Sequence, residues 1–155
     1  MLENALLITA AILTALLAGV FFGYAVSVNW GLGKLKDAEY VRAMQSINIV
    51  IQNGWFFLVF MGPIVLLPLV TFLFRASPVQ FALLLIASIV YIVGSFILTI
   101  AGNVPLNNTL ALADAGKDVA VARSQFEKPW NRLHTVRTLA SIIAAALTVT
   151  ACAIG

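Results

Sequence analysis

The sequence predicts an all-α integral membrane protein: a four-helix bundle with a long polar loop, containing short helices, between spans three and four. Apolar residues make up 62% of the 155 residues and charged residues only 10%, against about 25% in soluble domains. The charged residues leave four uncharged windows, at residues 4–33, 43–74, 76–113 and 138–155. A spanning helix needs about 20 apolar residues, so each window can hold one, and residues 1–155 are expected to form one four-span domain.

Span one is expected over residues 4–28 and has a small side chain at every fourth position. The members of this ridge are Ala11, Ala15, Gly19, Gly23 and Ser27. Small residues at this spacing let another helix approach closely. We expect the ridge to pack within the bundle. A wall beside a flat ligand and a contact between two copies of the chain, forming a homo-oligomer, are the alternatives.

An amphipathic helix is predicted before span two. Asp37 can cap a helix that begins near residue 38, and Gln45, Asn48 and Gln52 recur on one side of it. Two placements of these amides stay open. They can lie at the membrane interface, or they can face inward and line a polar pocket, where they find the hydrogen-bond partners that lipid does not offer.

The window at residues 43–74 is too long for one straight span. Its 32 residues would form a helix of about 48 Å, which exceeds the hydrocarbon core of a bilayer. Asn53-Gly54, Pro63 and Pro68 are the candidate breaks.

Span three, residues 79–100, has one small and polar stripe. Its members follow helical spacing: Ser88, Tyr91, Ser95, Thr99 and Gly102. Hydrogen bonding between helices is the favoured role of the stripe. Tyr91 is the member that we expect to reach a ligand.

The segment after span three is expected to be a polar loop with two short helices. Pro105 should end span three, and Asn107 or Asn108 can cap the first short helix. A second short helix is predicted at residues 119–126. Pro129 suits the first turn of span four.

Span four opens with a polar face. Trp130, His134, Arg137 and Ser141 recur at steps of four, three and four, so they share one side of a helix. Histidine can act as a general base near neutral pH, arginine can stabilise an oxyanion, and tryptophan offers a flat apolar face to an aromatic ring. The same residues are typical of an interfacial anchor, and that interpretation stays open.

The positive residues predict the orientation. Eight of the nine lysines and arginines lie between spans one and two or between spans three and four, if the starts of the following helices are included. The ninth lies between spans two and three. The positive-inside rule then places the segments between spans one and two and between spans three and four in the cytoplasm, and both termini outside. For a bacterial protein, the membrane would be the cytoplasmic membrane.

This orientation places the amides of the helix before span two and those of the segment after span three at one membrane face. The polar face of span four begins at the same membrane face. The set suits the removal of a proton from an apolar, weakly acidic compound that dissolves in the bilayer. The residues predicted to be catalytic are His134, Arg137, Asn103 and Asn107. The residues predicted to bind substrate are Trp130, Gln45, Asn48, Gln52 and Tyr91.

Composition also limits the partners. The basic residues flank spans and are not interleaved with aromatic residues, so the bilayer and a lipophilic small molecule are the expected partners, and nucleic acid is not. Cys152 is the only cysteine and His134 the only histidine, so no metal site and no cofactor is predicted. A metal or heme held by His134 is the alternative.

Three segments resemble a family of small four-span membrane proteins that includes the fungal anthrone oxygenases. They are residues 19–23 (GVFFG), residues 44–48 (MQSIN), and residues 103–107 (NVPLN) followed by Trp130, His134 and Arg137-Thr138. The resemblance implies a four-helix membrane fold and a monooxygenase that converts an anthrone to an anthraquinone with molecular oxygen. It further implies that His134 or an amide-bound water deprotonates the substrate, and that the carbanion reacts with oxygen without a cofactor. A non-catalytic membrane protein that binds or moves a small molecule, or supports a partner complex, is the alternative.

Overall fold

A computed structural model describes residues 1–114 and 117–154, which form five helices. These are α1 (Leu2–Leu32), α2 (Asp37–Val50), α3 (Gly54–Leu73), α4 (Pro78–Ala111) and α5 (Val119–Ala153). Within the described residues, the four helices other than α2 are long and apolar enough to cross a membrane. They correspond in number and order to the four predicted spans.

The four long helices form a closed ring in which each packs against the next. α1 contacts α3, α3 contacts α4, α4 contacts α5, and α5 returns to α1. The core between them is apolar and includes Leu17, Leu67, Leu84 and Ala144, all with no exposed surface. The short helix α2 packs across one end of this bundle, on α5 and on the last turns of α4.

The break between α2 and α3 lies where the sequence predicts it, at Asn53-Gly54. The Oδ1 of Asn53 accepts a hydrogen bond of 3.1 Å from the backbone N–H of Phe56 and so caps α3. Pro63 and Pro68 lie inside α3 and do not interrupt it. The chain therefore turns at residues 51–53, and the long uncharged window is divided between two helices.

The predicted cap of α2 is wrong by one residue. Lys36 is the N-cap, and its backbone N–H donates to the Oε2 of Glu39 over 3.1 Å. Asp37 is the first residue of the helix, and its carboxylate accepts a hydrogen bond from Arg123 on α5 instead. Asp37 therefore binds a residue that is distant in sequence and does not cap its own helix.

The prediction of a long polar loop between spans three and four is also wrong. α4 continues through Pro105 to Ala111, so neither Asn107 nor Asn108 caps a new helix. π-helical turns at Ile92–Ile97 and Thr99–Asn103 precede the proline. Such widened turns can absorb a proline ring and its missing N–H without ending the helix.

The second predicted short helix is part of α5, which begins at Val119 and contains Pro129. Packing holds this first part of α5 in place. The ring of Phe126 stacks on Trp130 with centroids 5.9 Å apart and meets Tyr40 of α2 edge-on at 6.4 Å. These contacts outweigh the local preference of a proline for the first turn of a helix.

The small-residue ridge of α1 does not pack within the bundle, so the prediction that it would is wrong. Ala15, Gly19, Gly23 and Ser27 are exposed, and only Ala11 is buried. A Cβ added at Gly19 or Gly23 would meet nothing within 4 Å. A contact between copies of the chain through this face stays a prediction.

The polar stripe of α4 forms hydrogen bonds between helices, as the favoured interpretation has it. The hydroxyls of Ser95 and Ser141 lie 2.9 Å apart, and those of Ser88 and Thr71 lie 3.1 Å apart. The stripe therefore ties α4 to α5 on one side and to α3 on the other.

Candidate functional site

A cavity of about 220 Å³ lies where the break between α2 and α3 meets the other three helices. Its aromatic lining residues are Phe21, Tyr24, Phe56, Phe57, Phe60 and Trp130. Its polar lining residues are Asn48, Gln52, Thr99, Asn107, Asn108, His134 and Arg137. The cavity thus combines flat apolar walls with a few polar groups, which is typical of small-molecule sites.

His134 and Arg137 form a hydrogen-bonded pair on one turn of α5. The Nε of Arg137 donates to the Nδ1 of His134 over 3.0 Å. The Nε2 of His134 lies 3.1 Å from the backbone oxygen of Phe21 on α1. Both ring nitrogens of the imidazole are therefore engaged, and the ring bridges two helices.

Arg137 is a buried cation beside aromatic rings. Its residue is 7% exposed, and its guanidinium carbon lies 4.3 Å from the ring centre of Phe21 and 5.1 Å from that of Trp130. Its Nη1 donates to the Oγ1 of Thr99 over 3.3 Å. In the described part of the chain the ion pairs are those of Arg123, and none involves Arg137.

Trp130 and Asn107 fix one wall of the cavity. The indole Nε1 of Trp130 donates to the Oδ1 of Asn107 over 2.8 Å. The indole stacks on the imidazole of His134, with ring centroids 4.9 Å apart and planes 12° apart. The orientation of the indole is therefore set by α4 and α5 together, and Phe126 also stacks on it.

Asn48 brings an unpaired donor to the cavity from α2. Among the described residues its Nδ2 is buried without a hydrogen-bond partner. The side-chain amide of Gln52, in the turn after α2, donates to the backbone oxygen of Asn48 over 2.8 Å and so already has a partner. A buried donor without a partner is costly unless a water or a ligand accepts its hydrogen bond.

Six of the nine predicted site residues line the cavity, and three do not. The Nε2 of Gln45 donates to the backbone oxygens of Leu110 and Ala113 and so ties α2 to the end of α4. Tyr91 is fully buried in the apolar core, and its hydroxyl donates to the Phe60 oxygen over 2.7 Å. Asn103 is fully buried behind the cavity, with its Nδ2 donating to the Trp130 oxygen over 3.3 Å.

The aromatic residues that α1 and α3 contribute to the cavity were not among the predicted site residues. Phe21 and Tyr24 are three residues apart, and Phe56 and Phe60 four, so each pair shares a helix face. That spacing was a usable signal, but membrane spans contain many aromatic residues. Only the packing of the helices shows which of them meet.

The site offers few metal ligands. Within residues 1–114 and 117–154, no three side chains of the histidine, cysteine, aspartate and glutamate types lie together. A metal or heme bound at His134 would have to displace Arg137 or the Phe21 carbonyl from the imidazole. What the site does supply is a buried positive charge and amide groups beside flat aromatic surfaces, an arrangement suited to a planar compound carrying an oxyanion.

Comparison with known proteins connects this site to a family. The family model described as anthrone oxygenase matches residues 55–147, more than half of the chain. The match includes Asn107, Trp130, His134 and Arg137, whereas Phe21 and Asn48 come from helices outside it. No curated protein and no solved structure matches the chain.

Proposed function

Because the chain belongs to the anthrone oxygenase family, we propose that it is a membrane-embedded oxygenase that oxidises a lipophilic aromatic substrate of the anthrone type with molecular oxygen. One observation carries the proposal. The cavity has aromatic walls and is lined by Arg137, a buried cation with no ion-pair partner among the described residues. A buried charge needs a counter-charge, and an ionised substrate would supply it.

Arg137 would act by stabilising the substrate as an oxyanion. When an anthrone loses a proton from the carbon opposite its carbonyl, the negative charge spreads onto the carbonyl oxygen. A guanidinium at that oxygen favours ionisation, and the low-polarity surroundings strengthen the attraction. Phe56 and Phe57 line the cavity and offer aromatic surface to the rings of the substrate.

The proton would pass to a water held by the amides of the cavity. Asn48 of α2, Gln52 of the turn after α2 and Asn107 of α4 line the cavity. The Nδ2 of Asn48 has no protein partner among the described residues. The family resemblance implies either His134 or an amide-bound water as the proton acceptor, and we assign the role to the water. The imidazole has no free nitrogen in this structure.

The oxidation then balances with oxygen as the only co-reactant. The carbanion carbon forms a bond to O2, and the distal oxygen takes up a proton to give a hydroperoxide. Loss of the remaining hydrogen on that carbon as a proton breaks the O–O bond, forms the second carbonyl and releases hydroxide, which becomes water. One oxygen atom enters the quinone and the other leaves in water.

Substitution of Arg137 tests the proposal. The purified protein in lipid nanodiscs is given anthrone, and anthraquinone formation is measured above the spontaneous rate. We expect Arg137→Gln to lower kcat by about 100- to 1000-fold, the range found when one oxyanion donor is lost. Arg132→Gln, which removes an exposed charge five residues away on α5, should leave the rate unchanged. Equal rates for both variants would contradict the proposal.

The alternative function is a non-catalytic protein that binds or moves a lipophilic compound. The outer edge of the cavity favours access from lipid, because Val20, Phe57 and Ile100 line it and are 44%, 46% and 49% exposed. A lateral route of this kind serves a carrier as well as an enzyme. Tight binding of anthrone by the wild type, without acceleration of its oxidation, would favour the carrier.

A further inference from the structure

We infer that His134 is a positioning residue, which as a neutral imidazole with its proton on Nε2 orients Arg137 and takes no proton from the substrate. The inference rests on the proposed role of Arg137 as an oxyanion site, and not on the oxygenase reaction itself. Two hydrogen bonds of His134 and the packing of its ring carry the argument.

The two hydrogen bonds fix the tautomer. The Nε–H of Arg137 can only donate, so the Nδ1 of His134, 3.0 Å away, must present its lone pair. The backbone oxygen of Phe21 can only accept, so the Nε2 at 3.1 Å must carry the hydrogen. The ring is therefore neutral, and it keeps no lone pair with which to accept a proton from a ligand.

The surroundings of the ring hold it in this state. His134 is 1% exposed. Its imidazole is stacked on Trp130 and met edge-on by Tyr24 at 5.3 Å and by Phe21 at 5.7 Å. The charged and titratable groups that face it are Arg137 and the Tyr24 phenol. A proton on Nδ1 would set an N–H against the N–H of Arg137, so the contact itself opposes charging of the ring.

The same contacts orient the guanidinium. Its Nε is held by His134, its Nη1 is held by Thr99 of α4, and its face lies over the Phe21 ring. A planar group held at two nitrogens and one face has little freedom to rotate. His134 therefore links α1, through the Phe21 carbonyl, to the direction in which Arg137 presents its charge to the cavity.

The test needs a readout of charge stabilisation that does not depend on turnover. Alizarin, a hydroxyanthraquinone dye whose anion absorbs at longer wavelength than its neutral form, supplies one. Its visible spectrum is recorded with the protein in nanodiscs at a pH where free alizarin is neutral. The variants are His134→Asn, which keeps an acceptor near the position of Nδ1, and His134→Leu, which removes it. Anthrone oxidation is followed across pH on the same samples.

The positioning role predicts a specific pattern. Wild type and His134→Asn should both bind alizarin as its anion, and His134→Asn should oxidise anthrone within about tenfold of wild type with the same pH profile. His134→Leu should bind the dye in its neutral form and lose at least about 100-fold in kcat. Where His134→Leu does not yield folded protein, Arg137→Lys tests the same contact. Lysine keeps the charge but lacks the Nε–H, and the anionic spectrum should be lost.

Other outcomes would overturn the inference. A loss of about 100- to 10,000-fold in His134→Asn, with the anionic dye spectrum intact, would make His134 the general base. An anionic spectrum in His134→Leu or in Arg137→Lys would show that Arg137 needs no positioning by this contact. Failure of the oxygenase proposal is distinct from both. In that case the wild type would not oxidise anthrone, and the dye spectra would still follow the predicted order.

Discussion

Substitution of Asn48 distinguishes a role in the site from a role in the stability of the fold. Its buried Nδ2 has no hydrogen-bond partner among the described residues, so no protein hydrogen bond of this atom is lost when Asn48 is replaced. We expect Asn48→Leu to lower kcat/KM for anthrone by about 5- to 30-fold, the value of one hydrogen bond of about 1–2 kcal/mol to the proposed water. Thermal unfolding should occur at the same or a higher temperature, because an unpaired donor has been removed.

Ser46→Ala provides the control for Asn48. Ser46 is exposed on the same helix, so its replacement by alanine should change neither kcat/KM nor stability. A stability loss in Asn48→Leu without a change in kcat/KM would mean that the amide is part of the fold and not of the site.

Asn107 is expected to act through Trp130. Asn107→Leu leaves the indole N–H without its acceptor at 2.8 Å, and we expect a loss of about 1–3 kcal/mol in the free energy of unfolding. Asn108→Leu, at the exposed neighbouring position, should cost much less. Chemical denaturation in detergent, followed by tryptophan fluorescence, compares the two. Equal losses would show that the hydrogen bond is not what stabilises this wall.

At the scale of residues, the sequence predicts which side chains of α5 share a face, because helical spacing alone decides that. Trp130, His134 and Arg137 line the cavity as the spacing requires. The role of His134 could not be predicted. It depends on the backbone carbonyl of Phe21, more than a hundred residues away in the chain.

At the scale of helices, Gly94 allows α4 to approach α5 closely. A Cβ added at Gly94 of α4 would lie 2.7 Å from the Cβ of Ala140 on α5, which has no rotamer with which to move away. We expect Gly94→Ala to cost about 1–3 kcal/mol in stability, as overpacking does. Gly19→Ala should be neutral or stabilising by up to about 1 kcal/mol, because its Cβ meets nothing and alanine favours the helix.

Thermal unfolding of the two glycine variants in the same detergent makes the comparison. A destabilised Gly19→Ala would indicate that the exposed ridge of α1 does have a contact, such as a second copy of the chain. Size measurement by light scattering would then show whether the variant has also lost a dimer.

Arg123 joins three segments at the end of the bundle where α2 lies. It donates to Asp37, Glu127 and the backbone oxygens of Gly33 and Leu35. Its guanidinium carbon also lies 4.5 Å from the ring centre of Tyr40. Burial and the nearby Glu127 raise the pKa of the Tyr40 phenol, so the ring stays neutral beneath the cation. This set of contacts explains why Asp37 does not cap α2.

Loss of Arg123 should loosen this end without unfolding the bundle. We expect Arg123→Gln to increase hydrogen exchange at residues 33–40 by about tenfold or more, because charge-assisted hydrogen bonds are worth about 1.5–3 kcal/mol. Exchange at the core of α3 should not change. Protection that stays the same in both regions would show that Arg123 does not hold the segment.

The helix ends were the least predictable part of the fold. Pro105 and Pro129 carry strong local signals for a helix end and a helix start, and both lie inside long helices. The π-helical turns before Pro105 and the packing of Phe126 decide the outcome. Neither feature can be recognised from the residues next to the prolines. The number of long helices was predictable, because it depends only on the length of the four uncharged windows.

At the scale of the whole molecule, the contacts define two ends of the bundle. The hydrogen bond from Arg123 to Asp37, 3.0 Å long, places the connection after α1 beside the start of α5. At the other end, the Nε2 of Gln80 donates to the Ala151 oxygen over 3.0 Å, which places the start of α4 beside the end of α5. Eight of the nine lysines and arginines lie toward the first end. The positive-inside rule therefore predicts that this end, with the candidate site, faces the cytoplasm.

Single cysteines test this orientation in a Cys152→Ser background. Lys36→Cys and Lys128→Cys are exposed at the first end, and Ala76→Cys is exposed at the second. In intact bacterial cells, a maleimide that cannot cross the membrane should label Ala76→Cys alone. In inverted vesicles it should label the other two. The reverse pattern would place the candidate site on the outer face, so the substrate would have to reach it from outside the cell. Labelling of all three in intact cells, with membrane integrity verified, would mean either that the chain inserts in both orientations or that the four helices do not cross the bilayer.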